Sequence, residues 1–263
     1  MMNSPTITKP AAAPSRTGNV IAVSSGKGGV GKTWFAITLA QALAKAGERV
    51  LLFDGDLGLA NVDIQIGLVP KHDLGGVISE RLTMADAVTK YPSGGFDIIA
   101  GQSGTGSLAS LPPKRLIGIR NQLLALAAGY DYVIIDIGAG IDRTARIMSA
   151  TAGTCLVLTS DDPTSLTDAY AFIKVMAAEC QDMNVQIVVN MTASEHQGER
   201  TYMSLRKACE KFLKLSPQLA GIIRRDPWVQ DSIRNQTALL TRHPNCDAAT
   251  DVEAIAARLR EAS

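Results

Sequence analysis

The chain reads as an α/β fold, a doubly wound and mostly parallel sheet with helices on both faces. Three observations predict it. Apolar runs of buried-strand type alternate with helical segments along the chain. A glycine-rich loop, Gly26-Lys27-Gly28-Gly29-Val30-Gly31-Lys32-Thr33, stands between one such run and one such helix. Two further apolar runs close on carboxylates, Asp54 and Asp136. Alternation of this kind favours right-handed crossovers and places active groups at the carboxyl ends of the strands.

Strands are expected at 19–24, 49–54, 96–100, 131–136, 154–159, 185–190 and 218–223. Helices are expected at 32–46, 112–128, 163–180, 199–213, 226–235 and 249–261. With 263 residues, 46% of them apolar and 19% charged, the chain fits one large domain, taken as 18–263. Residues 1–17 carry Pro5, Pro10 and Pro14 and no acid, and are expected to form a flexible tail. No window approaches the unbroken apolar length of a membrane span. A net charge of +1 provides no overall basic field, so nucleic acid is not an expected partner. Cys155, Cys180, Cys209 and Cys246 form no Cys-x-x-Cys pair and read as reduced thiols of a cytosolic protein. His72, His196 and His243 are too scattered for a zinc cluster.

The loop carries the chemistry. Gly26, Gly28, Gly29 and Gly31 let successive N–H groups turn inward on an anion, and the helix that follows adds the positive end of its dipole. Lys32 is placed to reach the terminal phosphates of a nucleoside triphosphate, and the Thr33 hydroxyl to hold Mg²⁺. Val50-Leu51-Leu52-Phe53 runs into Asp54-Gly55-Asp56, two carboxylates at a strand mouth beside the loop. They would flank Mg²⁺ and the γ-phosphate; the plainer reading makes them caps for a helix over Ala60 to Ile66. Tyr132-Val133-Ile134-Ile135-Asp136 is a Walker B pattern, with Asp136 holding Mg²⁺ through water. Gly138-Ala139-Gly140-Ile141 follows, flexible enough to sense a γ-phosphate.

The form Lys-Gly-Gly-x-Gly-Lys-Thr, with Lys27 as an extra cation, resembles the deviant Walker A signature of the MinD/ParA/nitrogenase-iron-protein class of P-loop ATPases. The resemblance implies that Lys32 serves its own site and that Lys27 crosses a dimer interface to phosphates held by a second subunit. A solvated loop charge is the plain alternative for Lys27. The resemblance further implies that Asp54 sits in the outer shell of Mg²⁺, that Asp56 orients or deprotonates the attacking water, and that Asp142 lies near the dimer interface. It makes Asn190 a reader of the adenine edge, although a turn asparagine fits the same place. Members usually carry Ile-Pro-x-Asp near the base; here Ile223-Arg224-Arg225-Asp226 keeps Asp226 and replaces the proline. Arg224 would then stack on the base or leave the pocket looser.

Within the class, Asp56-Leu57-Gly58-Leu59-Ala60-Asn61-Val62-Asp63 and Asp162-Pro163-Thr164-Ser165-Leu166-Thr167-Asp168-Ala169-Tyr170 are most similar to the FlhG/FleN regulators of flagellar number and placement, as is Ile99-Ala100-Gly101-Gln102-Ser103-Gly104. That implies slow ATP hydrolysis, an ATP-bound homodimer and a protein partner in flagellar or cell-polarity machinery. The location implied is the cytoplasm, with the inner-membrane surface as a second place. Such relatives commonly end in a membrane-targeting amphipathic helix. Val252, Ile255, Ala256 and Leu259 make one apolar stripe, but acids and arginines are mixed opposite it, so a helix docked on the core is favoured. Two other functions are weighed: a ParA-like DNA-partition ATPase, and a metabolic ATP-dependent ligase on the same fold.

Overall fold

The structure, a computed structural model, describes residues 17–56, 60–101, 111–180 and 183–262. In chain order the elements begin with β1 (Thr17–Ser24), α1 (Lys32–Lys45), β2 (Val50–Gly55), α2 (Val62–Ile66), α3 (Leu74–Ile78) and β3 (Val88–Tyr91). The middle of the chain forms β4 (Phe96–Ile99), α4 (Pro113–Ala127), β5 (Tyr132–Ile137), α5 (Arg143–Ser149), β6 (Ala152–Thr159) and α6 (Pro163–Glu179). The last part forms β7 (Asn184–Thr192), α7 (Glu195–Leu213), β8 (Gln218–Arg224), α8 (Pro227–Arg234), α9 (Leu239–Arg242) and α10 (Asp247–Glu261). All eight strands form one sheet in the order β3-β4-β2-β5-β1-β6-β7-β8. Only the β3–β4 pair is antiparallel.

Alternate residues of each strand face opposite sides of a sheet, and the core divides accordingly. Ile21, Val23, Leu52, Ile134 and Leu156 pack under α1 and α10, against Phe35, Leu39, Val252 and Ile255. Val20, Ala22, Leu51, Phe53, Val133 and Ile135 face the other way, toward Leu123, Phe172, Met176 and Leu205 of α4, α6 and α7. The central strands are buried along their whole length because helices cover both faces, which is why their sequences run apolar without alternation.

The seven expected strands and six expected helices are all present. The eighth strand, β3, is a short partner to β4 across a turn at Pro92-Ser93-Gly94-Gly95, and α2, α3, α5 and α9 are short helices that strand–helix alternation alone does not announce. Helix α7 starts four residues before its expected beginning, at the Ser194 cap, whose side chain accepts from the Gln197 N–H. The stripe Val252, Ile255, Ala256 and Leu259 is buried, so α10 spends its apolar face on the core. Of the expected tail, only Thr17 is described, as the first residue of β1; 1–16, the segment 57–59 and Gln102, Ser103 and Gly104 lie outside the described residues. No helix among the described residues is long and apolar enough to cross a membrane.

Candidate nucleotide site

The carboxyl ends of β1, β2 and β5 converge on the loop between β1 and α1. There a cavity of about 810 Å³ opens, lined on the loop side by Gly28, Gly29, Gly31, Lys32 and Thr33. The backbone at Gly31, the residue before α1, has φ of +86°, a left-handed conformation that strains any L side chain. Gly26 is required for a different reason: a Cβ there would lie 2.0 Å from the Asp168 carbonyl oxygen of α6. The loop is thus pinned against α6 at one end and turned into α1 at the other. Its Val30 carbonyl accepts from Asn190 Nδ2 at 2.8 Å.

Behind the loop lie two buried carboxylates on neighbouring strands, Asp54 and Asp136, paired in register. Asp54 accepts three backbone N–H groups: Asp56 on Oδ1, and Asn61 and Val62 on Oδ2. Asp54 therefore does cap the start of α2, while Asp56 alone of the pair lines the cavity. Burial and the Asp136 charge push Asp54 up to about 8. Burial raises Asp136 to about 6, against the pull of Lys32 and the Thr33 hydroxyl. Thr33 is close enough to favour the charged form without closing a bond of ordinary geometry, since neither Asp136 oxygen has a hydrogen-bond partner among the described residues. A buried carboxylate with both oxygens orphaned, beside a lysine and a hydroxyl, is chemically suited to a hydrated divalent cation. No group of three or more His, Cys, Asp or Glu side chains forms a metal cluster among the described residues, so protein ligands alone would not cage the ion.

Asp56 packs against Gly138, where a Cβ would come within 3.2 Å of its Oδ1. Gly138 and Ala139 line the cavity next to it. The loop after β5 is tied to the start of the glycine loop by the Gly140 N–H donating to the Ser25 carbonyl at 3.0 Å. Asp142 caps α5 through the Ala145 N–H and also lines the cavity.

At the far end the cavity is bounded by Asn190, Met191, Arg224, Arg225 and Asp226, with Val229, Gln230 and Ile233 of α8. Asn190 and Asp226 are both placed there, and both already serve the fold. Asn190 Oδ1 accepts from the Met191 N–H. Asp226 caps α8 at Trp228 and accepts from the Ala248 N–H at the start of α10. Burial opposes its charge, but those backbone donors outweigh it and hold the pKa low. Arg224 does not stack over a base: its guanidinium is paired with Asp251 and Asp247 of α10.

Lys27 sits apart from Lys32. Lys32 lines the cavity; Lys27 does not, and its Nζ is 2.9 Å from Asp162 Oδ2 and hydrogen-bonded to the Thr164 hydroxyl at the start of α6. That contact holds the Asp162 carboxyl down at about 2. Gly26 and Val30, like Asp54 and Asp136, shape the site from behind its lining. Trp34, Asn61, Gln65, Met191 and the α8 residues were not singled out by the sequence; among them only Trp34 carried a local signal, by directly following Thr33.

A strand, a glycine loop with paired lysines, a helix and two strand-end carboxylates at a topological switch point define a P-loop nucleotide-binding protein. The chain belongs to the CobQ/CobB/MinD/ParA nucleotide-binding domain family, whose model matches residues 21–239. It is 36% identical to the antiactivator FleN of Pseudomonas aeruginosa over 91% of this chain and 85% of that protein. It is 28% identical to the flagellum site-determining protein YlxH of Helicobacter pylori over 91% of this chain and 81% of that one. Its fold matches that of the septum site-determining protein MinD of Pyrococcus horikoshii, solved with Mg-ADP, with a TM-score of 0.80 at 21% identity, covering 94% of this chain and 97% of that one.

Proposed function

We propose that this chain hydrolyses ATP and uses ATP to dimerise, acting as a switch in the control of flagellar number or placement. The observation that carries the dimer is the position of Lys27. A cation within the phosphate loop is turned out of its own cavity, half-exposed, and rests on Asp162 and Thr164. Its own site already has Lys32, so a second copy of the chain is the natural recipient of this amine. The flagellar role rests on the similarity to FleN and YlxH.

Thr33 and Asp136 would hold Mg²⁺, which would supply positive charge to offset that of the phosphates. The remaining work belongs to the chain. The glycine loop and Lys32 grip and orient the triphosphate. Asp56, at the cavity wall beside Gly138, is positioned to orient water on the γ-phosphate side. Asp54 holds the segment carrying Asp56 and Asn61 in place through its three backbone bonds. Phosphoryl transfer asks little of a protein beyond such positioning and charge stabilisation.

Gel filtration with light scattering on the Asp56→Ala variant, with Mg-ATP and with Mg-ADP, tests the switch. A dimer with ATP and a monomer with ADP are expected; a monomer under saturating ATP overturns it. Lys32→Ala should lose nucleotide binding, whereas Lys27→Ala should keep it and lose the dimer. Equal loss of nucleotide in both variants would refute the separate role of Lys27.

A further inference from the structure

Trp34 is the first residue of α1 beyond the loop motif, and it is buried, only 5% exposed. Its aromatic body belongs to the core beneath α1, yet the residue also lines the nucleotide cavity. An indole N–H can only donate. Here Nε1 is buried and has no partner among the described residues. Burying a donor without an acceptor is costly, and folded proteins rarely leave one so.

Two more orphans line the same cavity. Asn61 Oδ1, at the start of α2, and Gln65 Oε1, one turn further on, are buried and without partners among the described residues. Helices α1 and α2 pack together, and α2 also meets α8. Trp34 lines the cavity beside Lys32 and Thr33. A hydroxyl arriving there finds a donor in Trp34 and acceptors in Asn61 Oδ1 and Gln65 Oε1.

We propose that Trp34 is a nucleotide-binding residue whose indole N–H donates to a sugar hydroxyl of the nucleotide. The Asn61 and Gln65 carbonyl oxygens supply acceptors for the sugar O–H groups in the same subsite. The proposal rests on the nucleotide reading above and deepens it. Unlike the glycine loop, which grips phosphate through backbone groups any P-loop offers, this contact uses a side chain whose chemistry is single-valued, one donor and no acceptor.

Two measurements on the full chain test it. Nitrogen-15 labelling gives one ring N–H signal each for Trp34 and Trp228, assigned with Trp34→Phe and Trp228→Phe. Mg-ADP should move the Trp34 ring proton downfield as it gains an acceptor. By calorimetry, Trp34→Phe, which keeps an aromatic ring and loses the N–H, should bind Mg-ADP about tenfold more weakly. Repeating the titrations with 2′-deoxy-ADP and 3′-deoxy-ADP identifies the hydroxyl. Non-additive loss with one deoxy analogue assigns that hydroxyl, and additive loss with both overturns the proposal. An unmoved Trp34 signal with unchanged affinity in Trp34→Phe overturns the proposal while leaving nucleotide binding intact. Failure of the unaltered chain to bind Mg-ADP would instead remove the nucleotide reading itself. Should Trp34→Phe not fold, the ring N–H signal in the unaltered chain decides alone.

Discussion

At the loop end of the cavity, Lys32 faces the buried Asp136, and among the described residues the two form no ion pair and both Asp136 oxygens lack hydrogen bonds. At the other end, between β7 and α8, the polar groups are engaged. Asn190 is bonded at both ends of its amide, Asp226 caps two helices, and Arg224 is clamped to α10. The first region keeps charge in reserve at a cost to the empty fold; the second has spent its polar groups on holding the walls. Unsatisfied buried charge marks where a ligand must supply the missing partner, and satisfied groups mark the scaffold that shapes the remainder.

The largest effect expected from this contrast is on the stability of the nucleotide-free protein. Asp54 and Asp136 are raised to about 8 and about 6, whereas both would titrate near 3.9 in an unfolded chain. Between about pH 4 and 8 the native state therefore binds more protons than the unfolded state, and stability falls as pH rises through that window. The depressed carboxyls Asp131, Asp162 and Asp231, each at about 2, exert their opposite influence below pH 4 and do not offset it. Thermal midpoints in a chelator should drop from pH 5.5 to pH 8. Asp136→Asn, which removes one charge that has no hydrogen-bond partner among the described residues, should restore about 2 kcal/mol at pH 8. The same variant should lose the tightening of nucleotide by Mg²⁺. A midpoint that climbs over this range, in parallel for both proteins, would erase the distinction between the two ends.

Asn190 sharpens the comparison at its boundary. Its amide reaches across to Val30, and a Cβ on Gly31 would fall 2.6 Å from Nδ2, so it is wedged against the loop. Asn190→Ala leaves the Val30 carbonyl without its donor and should cost about 1–2 kcal/mol. Affinity for ADP and GDP should fall together, by a similar factor, because the loop they share is what relaxes. A fall confined to the adenine nucleotide would make Asn190 a reader of the base rather than a brace for the loop.

The loop end was legible because its chemistry is contiguous: eight residues between a strand and a helix, and a strand that closes on Asp136. The strands were legible for a related reason, since burial on both faces leaves unbroken apolar runs such as Val20 to Val23. Strand β3 escaped because it is four residues long and half-buried at the sheet edge, with a lysine facing out. The pair Asp54 and Asp56 left two roles open that only the folded chain separates. One carboxylate is swallowed by the N–H groups of a segment up to eight residues downstream, and the other is left on the cavity wall. The far wall was only partly within reach of the sequence: Asn190, Arg224 and Asp226 were named, but Gln65, Met191 and Ile233 meet only once α2, β7 and α8 are assembled. Arg224 was misleading for the same reason: its partner Asp251 is 27 positions away.

That arginine supplies the smallest and most discriminating effect. Arg224 lies in the cavity lining, but its guanidinium makes a two-point contact with Asp251 at 2.9 and 2.7 Å and an ion pair with Asp247 at 2.9 Å, all on α10. Asp251 is the more enclosed partner, 15% exposed against 36% for Arg224. It also accepts from the Arg224 backbone N–H, so it keeps one donor when the side chain is removed. Arg224→Ala should therefore cost only about 1–2 kcal/mol of stability, the range of a partly exposed charged hydrogen bond. Asp251→Ala should cost more, because the backbone donor is orphaned as well, and the double variant should cost less than the sum of the two. Affinity for Mg-ADP should stay within about twofold in Arg224→Ala, since an arginine that already has its carboxylates contributes shape to the cavity and little charge. A loss of tenfold or more, with the thermal midpoint unmoved, would mean the guanidinium leaves α10 when nucleotide arrives, and the far end would then join the loop end as a region that holds charge in wait.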